Sequence, residues 1–172
     1  MLSVIGAVLV AGGSAAAGFF AAHRLSCRCR VLSAFLSALD FIEAEIVCRL
    51  SPLPEIIAAL ATEARPPVGG FFSRMLKNYE SMRDERPFSA IWADSLDATP
   101  ELDLSLEELR LMKELGGALG RYGADEQRQL IEYTRRRLRS LLDGAEKERE
   151  RQSRMYGILG VAGGIAAVII LI

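Results

Sequence analysis

Two long uncharged segments, one at each end of the chain, do most to limit what it can fold into. No Asp, Glu, Lys or Arg occurs in residues 1–22 or in residues 155–172, so every such charge lies between them. A membrane-spanning helix needs about 20 predominantly apolar residues, and roughly 17 is the lower limit. The sequence therefore predicts transmembrane helices over residues 1–22 and 155–172, with a charged domain over residues 23–154 between them.

A secretory signal peptide is the alternative interpretation of the first segment, which contains the small-residue stretch SAAAGFFAAH. Signal peptides begin with a basic region, whereas this chain begins MLSVIGAV. We therefore favour a span, and whether it is ever cleaved stays open. Both spans also contain small residues four apart, a spacing that lets transmembrane helices pack closely. The glycines that carry this packing hypothesis are Gly12, Gly13, Gly160 and Gly164.

Basic residues flank both predicted spans on the side of the charged domain. They are Arg24, Arg28 and Arg30 after the first span, and Lys147, Arg149, Arg151 and Arg154 before the second. Lys and Arg close to a span are retained on the cytoplasmic side of the membrane. We therefore expect residues 23–154 in the cytoplasm and both termini on the opposite side. Thiols stay reduced in the cytoplasm, so Cys27, Cys29 and Cys48 are expected to form no disulfide.

The charged domain shows a helical period throughout. One stripe recurs at steps of three and four residues: Leu32, Phe35, Leu36, Leu39, Ile42, Ile46 and Leu50. Prolines and glycines then divide the chain into further helices. The second and third are predicted over residues 52–64 and 70–83, and a short fourth helix begins at residue 87. The fifth ends near residue 120, and the sixth begins near residue 125. The fold class is therefore all-α, a cytoplasmic bundle of about six helices between an N-terminal and a C-terminal transmembrane helix.

The stretch CRLSPLPEII contains two prolines with one residue between them. Proline is tolerated in the first turn of a helix, where the N–H that it lacks would have no partner. With Ser51 as N-cap, Pro52 and Pro54 fall in that turn, and Glu55 lies near the positive end of the helix dipole. The sequence thus predicts a sharp, stiff corner between two helices. Glycines in the fifth predicted helix, Gly116, Gly117 and Gly120, indicate close approach of another part of the bundle or of a partner.

Catalytic and metal-binding patterns are missing from the sequence. No P-loop motif occurs, and His23, the single histidine, lies at the edge of the first predicted span, which is a poor place for a Ser-His-Asp site or for a ligand of a four-coordinate zinc. Glu43 and Glu45 are two apart on a helix and point in different directions, so they make no acid–base pair. We expect no enzyme activity, no catalytic residue, no metal and no cofactor.

The charges of the middle domain are clustered. Six acidic residues and no basic residue lie between Asp94 and Glu108, whereas RRRLR at 135–139 is basic. Ser105 and Glu108 have the spacing of a capping box. Solvated faces are the ordinary interpretation of both clusters, and anionic lipid headgroups are the alternative partner of the basic one. Nucleic acid is not indicated, because the net charge is −1 and no aromatic residues alternate with the arginines.

Taken in order, several stretches resemble the stage III sporulation protein AB family of endospore-forming bacteria over the whole chain. They are LSALDFIEAEIVCRLSPLPEII, LGGALGRYGADEQRQLI and RMYGILGVAGGIAAVIILI. The Ser-Pro-Leu-Pro-Glu corner stands where that family has Thr or Ser before Pro-Leu-Pro-Glu. Matches to its Leu-Gly-Arg…Gln element are Leu119, Gly120, Arg121 and Gln127, whereas Tyr122 and Gly123 depart from it.

The resemblance implies a structural subunit of a channel between mother cell and forespore. The cytoplasmic part of the family is similar to the F-type platform proteins of type II secretion and type IV pilus systems. The implied partners are the secretion-type ATPase of the same operon, other membrane subunits of the channel and membrane lipid. A membrane-tethered helical adaptor or signalling scaffold unrelated to secretion is the alternative function.

Partner-binding candidates follow from the corner and from the family element. They are Glu43, Glu45, Ser51, Pro52, Pro54, Glu55, Gly120, Arg121 and Gln127. Two acidic surfaces are available to a partner, one around the corner and one over residues 94–108. We favour the corner, because a binding site is better placed on rigid elements than on a loop.

Overall fold

A computed structural model describes the chain over residues 2–82, 86–119, 121 and 123–171, and its side chains over 23–81, 86–119, 121, 123 and 125–155. Every regular element in these ranges is helical, which confirms the all-α prediction. The α-helices are α1 (Leu2–Ala44), α2 (Leu53–Glu63), α3 (Val68–Met82), α4 (Phe88–Asp97), α5 (Leu106–Ala118) and α6 (Ala124–Leu171). A π-helical turn (Glu45–Arg49) follows α1, and a 3-10 turn (Pro100–Leu102) precedes α5.

The described chain divides into two compact units. Arg30–Leu142 form one unit, and the described parts of Met1–Cys29 and Asp143–Ile172 form the other. Side chains of the two predicted spans, apart from that of Met155, lie outside the described residues. The four glycines of the packing hypothesis, Gly12, Gly13, Gly160 and Gly164, lie there too. Among the described residues, no helix is long and apolar enough to cross a membrane.

The core of the larger unit is built around Trp92, the single tryptophan of the chain. Its ring lies 5.1 Å from that of Phe71, 6.1 Å from that of Phe72 and 6.0 Å from that of Phe88, measured between centroids. Phe35 of α1 extends the cluster through an aromatic contact with Phe71. Helix α2 packs on α3, α3 on α4 and α4 on α5, while α1 and α6 contribute further buried side chains.

Gly116 in α5 is the position at which Trp92 lies against that helix. A Cβ atom at Gly116 would be 2.1 Å from Cδ1 of Trp92, and the indole Nε1 donates a hydrogen bond to the Met112 carbonyl at 2.8 Å. The predicted close approach is therefore confirmed for Gly116, with a side chain of the bundle as the neighbour. A Cβ at Gly117 would meet nothing within 4 Å, and Gly120 lies outside the described residues.

The predicted apolar stripe of α1 is correct up to Ile46 and wrong at Leu50. Its first six members, from Leu32 to Ile46, are buried. Leu50 is 77% exposed, because the helix widens into the π-turn and ends before this residue. The backbone of Leu50 is left-handed, with φ 53° and ψ 33°.

The helix starts follow local chemistry, with one exception. The capping box of α5 is confirmed: the Ser105 hydroxyl accepts from the Glu108 N–H, and the Glu108 carboxylate accepts from the Ser105 N–H. The N-cap predicted at Ser51 is wrong, because Pro52 occupies that place and the Ser51 hydroxyl donates to Glu45 instead. Other helix ends differ from the predicted ones by a few residues; α3, for example, begins at Val68.

Candidate functional site

The corner between α1 and α2 is closed by one backbone carbonyl. After α1, the π-turn runs from Glu45 to Arg49, and the carbonyl oxygen of Glu45 accepts hydrogen bonds from the N–H groups of Leu50 and Ser51. The Ser51 bond measures 3.0 Å. A left-handed residue after a helix allows such bonds, since it turns the chain back over the last turn. The chain direction therefore changes within Leu50 and Ser51.

The Glu45 carboxylate holds this corner from inside. Its Oε2 accepts a hydrogen bond from the Ser51 hydroxyl at 2.7 Å, and its Oε1 accepts one from the Arg49 guanidinium at 2.6 Å. Glu45 is buried, with 8% of its surface exposed. A buried carboxylate is costly unless it is paired and hydrogen-bonded, and here both oxygens have donors. Glu45, predicted as a partner-binding residue, thus has its charge satisfied inside the chain.

Both prolines stand where a missing N–H costs nothing. Pro52 is the N-cap of α2, and its carbonyl accepts from the N–H groups of Glu55 at 3.0 Å and Ile56 at 3.3 Å. Pro54 is the second residue of α2, where an N–H has no intrahelical acceptor. Pro52 and Glu55 are exposed, while Pro54 is half-buried. In the described part of the chain, Glu55 forms no ion pair, so its charge is available at the corner.

Glu43, just before the corner, pairs with the first half of α6. Arg135 donates a hydrogen bond to Glu43, and its Nε lies 2.9 Å from a carboxylate oxygen of Asp40. Arg128 approaches Glu43 as well, at 3.6 Å. Burial lowers the pKa of Arg135, but the hydrogen bond and charge of Glu43, followed by the charge of Asp40, outweigh burial and raise it. These pairs join the end of α1 to α6.

The acidic stretch between residues 94 and 108 is largely paired within the bundle. Asp94 pairs with Arg86, Asp97 with Lys113 at 2.7 Å, and Glu107 with Arg137. Glu108 is buried in its capping box. The basic cluster on α6 is likewise matched, since Arg135, Arg136 and Arg137 each contact a carboxylate. Most of the charge in both clusters is therefore compensated by partners within the bundle.

The remaining predicted residues lie at the connection between α5 and α6. Arg121 is exposed, and its N–H donates to the Ala118 carbonyl at 3.2 Å. Gln127 is half-buried, and its N–H donates to the Gly123 carbonyl at 3.0 Å. Gln127 precedes Arg128, whose contact with Glu43 brings the start of α6 to the end of α1.

Several residues that shape this site were not predicted from the sequence: Asp40, Leu50, Arg128 and Arg135. The arginines and their carboxylate partners are about 90 residues apart in the chain, and no local pattern links them. Leu50 continued the spacing of an apolar stripe, and the sequence contains no feature that indicates the π-turn.

Groups with chemical reactivity are few among the described side chains, where no three His, Cys, Asp or Glu residues are grouped to hold a metal ion. In the smaller unit, the Cys27 sulfur lies 3.6 Å from Nδ1 of His23. Burial raises the pKa of the Cys29 thiol, and the nearby charge of Arg149 opposes this effect without cancelling it. Cys48, in the π-turn, is exposed.

The described helices define an all-α, helical-bundle class of protein. The chain belongs to the stage III sporulation protein AB family, whose profile matches residues 3–172. This confirms the resemblance noted in the sequence, and the family gives the chain a role in sporulation.

Two relatives illustrate the match. Stage III sporulation protein AB of Bacillus subtilis (strain 168) is 26% identical over 172 residues, which cover 99% of each chain. A solved structure of a stage III sporulation protein AB superposes with a TM-score of 0.66 at 24% identity, over 73% of this chain and 98% of the other. The second likeness concerns the fold alone.

Proposed function

We propose that this protein is a structural membrane subunit of the channel between mother cell and forespore. It acts as a platform in the mother-cell membrane that anchors, or couples to, the secretion-type ATPase of the same operon. It is needed for endospore formation and does no covalent chemistry. The observation that carries the proposal is the family match over residues 3–172.

The rigidity of the corner supports this platform role. The Glu45 carboxylate holds Ser51 and Arg49, and the Arg135 pairs hold the end of α1 against α6. Binding groups on such rigid elements lose little conformational freedom when a partner docks. The corner is therefore the better docking surface for an ATPase than the connection before α5.

Charge at the corner supplies orientation more than affinity. Glu43 and Glu45 are engaged inside the chain, which leaves Glu55 as the carboxylate of the predicted acidic surface that a partner can meet. Charges at the rim of an interface mainly set encounter rate and orientation, and an exposed pair contributes only about 0.2–1 kcal/mol. We expect Glu55 to face basic side chains of the ATPase.

The test is co-purification of the full-length protein with the ATPase from membranes, at low and moderate salt. Glu55→Lys should weaken recovery of the ATPase, most clearly at low salt. The matched control is Glu101→Lys, an exposed carboxylate in the 3-10 turn, which should leave recovery unchanged. Charge reversal at Glu45 is unsuitable, because it would break a buried hydrogen-bonded group.

Failure of the unaltered protein to retain the ATPase would refute the coupling. Retention of a partner unconnected with secretion in its place would favour the adaptor or scaffold function. Loss with Glu101→Lys and not with Glu55→Lys would move the contact to the acidic stretch.

A further inference from the structure

The corner exposes large apolar side chains. Among the described residues, the large hydrophobic side chains with the greatest exposure are Val47, Leu50, Leu106, Tyr133 and Met155. Two of these five, Val47 at 39% and Leu50 at 77%, belong to one turn of the chain. Single exposed hydrophobic residues need no explanation, but apolar side chains concentrated on one rigid turn indicate an interaction surface.

Leu50 stands in a conformation that disfavours a leucine. Its φ of 53° brings Cβ close to the following carbonyl oxygen, and glycine or asparagine is the usual residue at such a position after a helix. Burial of the Leu50 side chain does not offset this backbone strain, since the side chain is 77% exposed to solvent. In the isolated chain, its side chain therefore costs backbone strain and exposed apolar area together.

The surroundings of Leu50 hold it in this exposed position. Its N–H and that of Ser51 both donate to the Glu45 carbonyl, and the Glu45 carboxylate accepts from the Ser51 hydroxyl. Pro52 follows with a restricted φ of −63°. The backbone that carries the Leu50 side chain is thus held in place before any partner arrives, which lowers the backbone entropy lost on binding.

We infer that Leu50 is an apolar anchor that inserts into a pocket on the ATPase, and this inference rests on the proposed function. The pocket is apolar and rimmed by basic side chains. Its rim follows from the charges of the corner: the Arg49 side chain is 74% exposed but paired with Glu45, and exposed Glu55 adds one negative charge that has no ion pair among the described residues. A protruding apolar side chain beside a charged rim is the usual arrangement of a binding hot spot.

The test measures the Kd of the purified, detergent-solubilised full-length protein for the purified ATPase. Leu50→Asn removes the apolar group, and asparagine tolerates the left-handed backbone, so the fold is retained. We expect binding at least about tenfold weaker, since burial of a leucine side chain is worth more than that factor. Leu50→Met keeps an apolar side chain of similar volume and should restore binding to within about twofold.

The matched control is Leu106→Asn, at the equally exposed first residue of α5, which should bind like the unaltered protein. Trp92 fluorescence checks that each variant keeps its core. Equal Kd values for the unaltered protein and Leu50→Asn would overturn the anchor and leave the platform function standing. Equal losses in Leu50→Asn and Leu106→Asn would also overturn it. No binding by the unaltered protein would refute the proposed function, and the anchor with it.

Discussion

Replacement of Gly116 by alanine tests the packing that holds α4 on α5. The new Cβ would lie 2.1 Å from Cδ1 and 2.3 Å from Cγ of Trp92, well inside van der Waals contact. Trp92 is fully buried among aromatic rings, so it cannot move without displacing Phe71 or Phe72. Its hydrogen bond to the Met112 carbonyl would be lost or bent.

The size of the effect follows from opposing contributions. Overpacking of a core costs about 1–3 kcal/mol, and loss of the indole hydrogen bond costs about 1 kcal/mol. Replacement of a helical glycine by alanine returns about 1 kcal/mol. Gly116→Ala should therefore lower the free energy of unfolding by roughly 1–3 kcal/mol. Gly117→Ala meets open space, so it should raise that free energy by about 1 kcal/mol.

The assay is urea unfolding of the full-length protein in detergent, followed through Trp92, the single tryptophan. Because Trp92 lies in the unit Arg30–Leu142, its fluorescence reports on that unit. The Gly116→Ala midpoint should fall below that of the unaltered protein, and the Gly117→Ala midpoint should rise above it. Equal midpoints for the two variants would refute the account of α4–α5 packing.

Two further predictions concern the pairs at α6 and the thiols. Arg135→Gln should destabilise the protein by roughly 1–3 kcal/mol, because the partly buried Glu43 loses its main partner. Arg136→Gln breaks only an exposed pair with Glu132, so it should cost about 0.5 kcal/mol or less. Similar urea midpoints for these two variants would contradict this. Burial raises the pKa of Cys29, so its reactive thiolate forms only at higher pH. Alkylation of Cys29, measured by mass spectrometry, should therefore be slow at neutral pH and become faster as the pH is raised. Cys29 alkylation as fast as that of exposed Cys48 at neutral pH would count against this prediction.

The features that sequence predicted correctly depend on local chemistry. The capping box of α5 needs only Ser105 and Glu108, three residues apart, and the structure contains both of its hydrogen bonds. The prolines of the corner restrict their own backbone, so the sequence alone predicted a helix start near Pro52. Gly116 indicated a close approach, although nothing in the sequence identified Trp92 as the neighbour.

The features that sequence could not supply depend on distant or cooperative contacts. Ser51 seemed a helix cap by its position, but the Glu45 carboxylate six residues earlier competes for its hydroxyl. That carboxylate is available only because the π-turn brings it to Ser51. The pairing of Glu43 with Arg135 joins residues far apart in the chain, and it changes a predicted partner-binding residue into an internal contact. The spacing of the apolar stripe predicted Leu50 in the core, but the π-turn ends the helix before this residue and leaves it exposed.

The most direct test of the central claim is the side of the membrane on which the corner lies. Cys48 is an exposed thiol within the π-turn, so it reports on the corner itself. In intact cells, a membrane-impermeant maleimide should leave Cys48 unmodified, and a cysteine added after Ile172 should react. After permeabilisation, Cys48 should be labelled as well. Labelling of Cys48 in intact cells, with the added cysteine protected, would place the corner outside the cytoplasm and contradict a platform for a cytoplasmic ATPase.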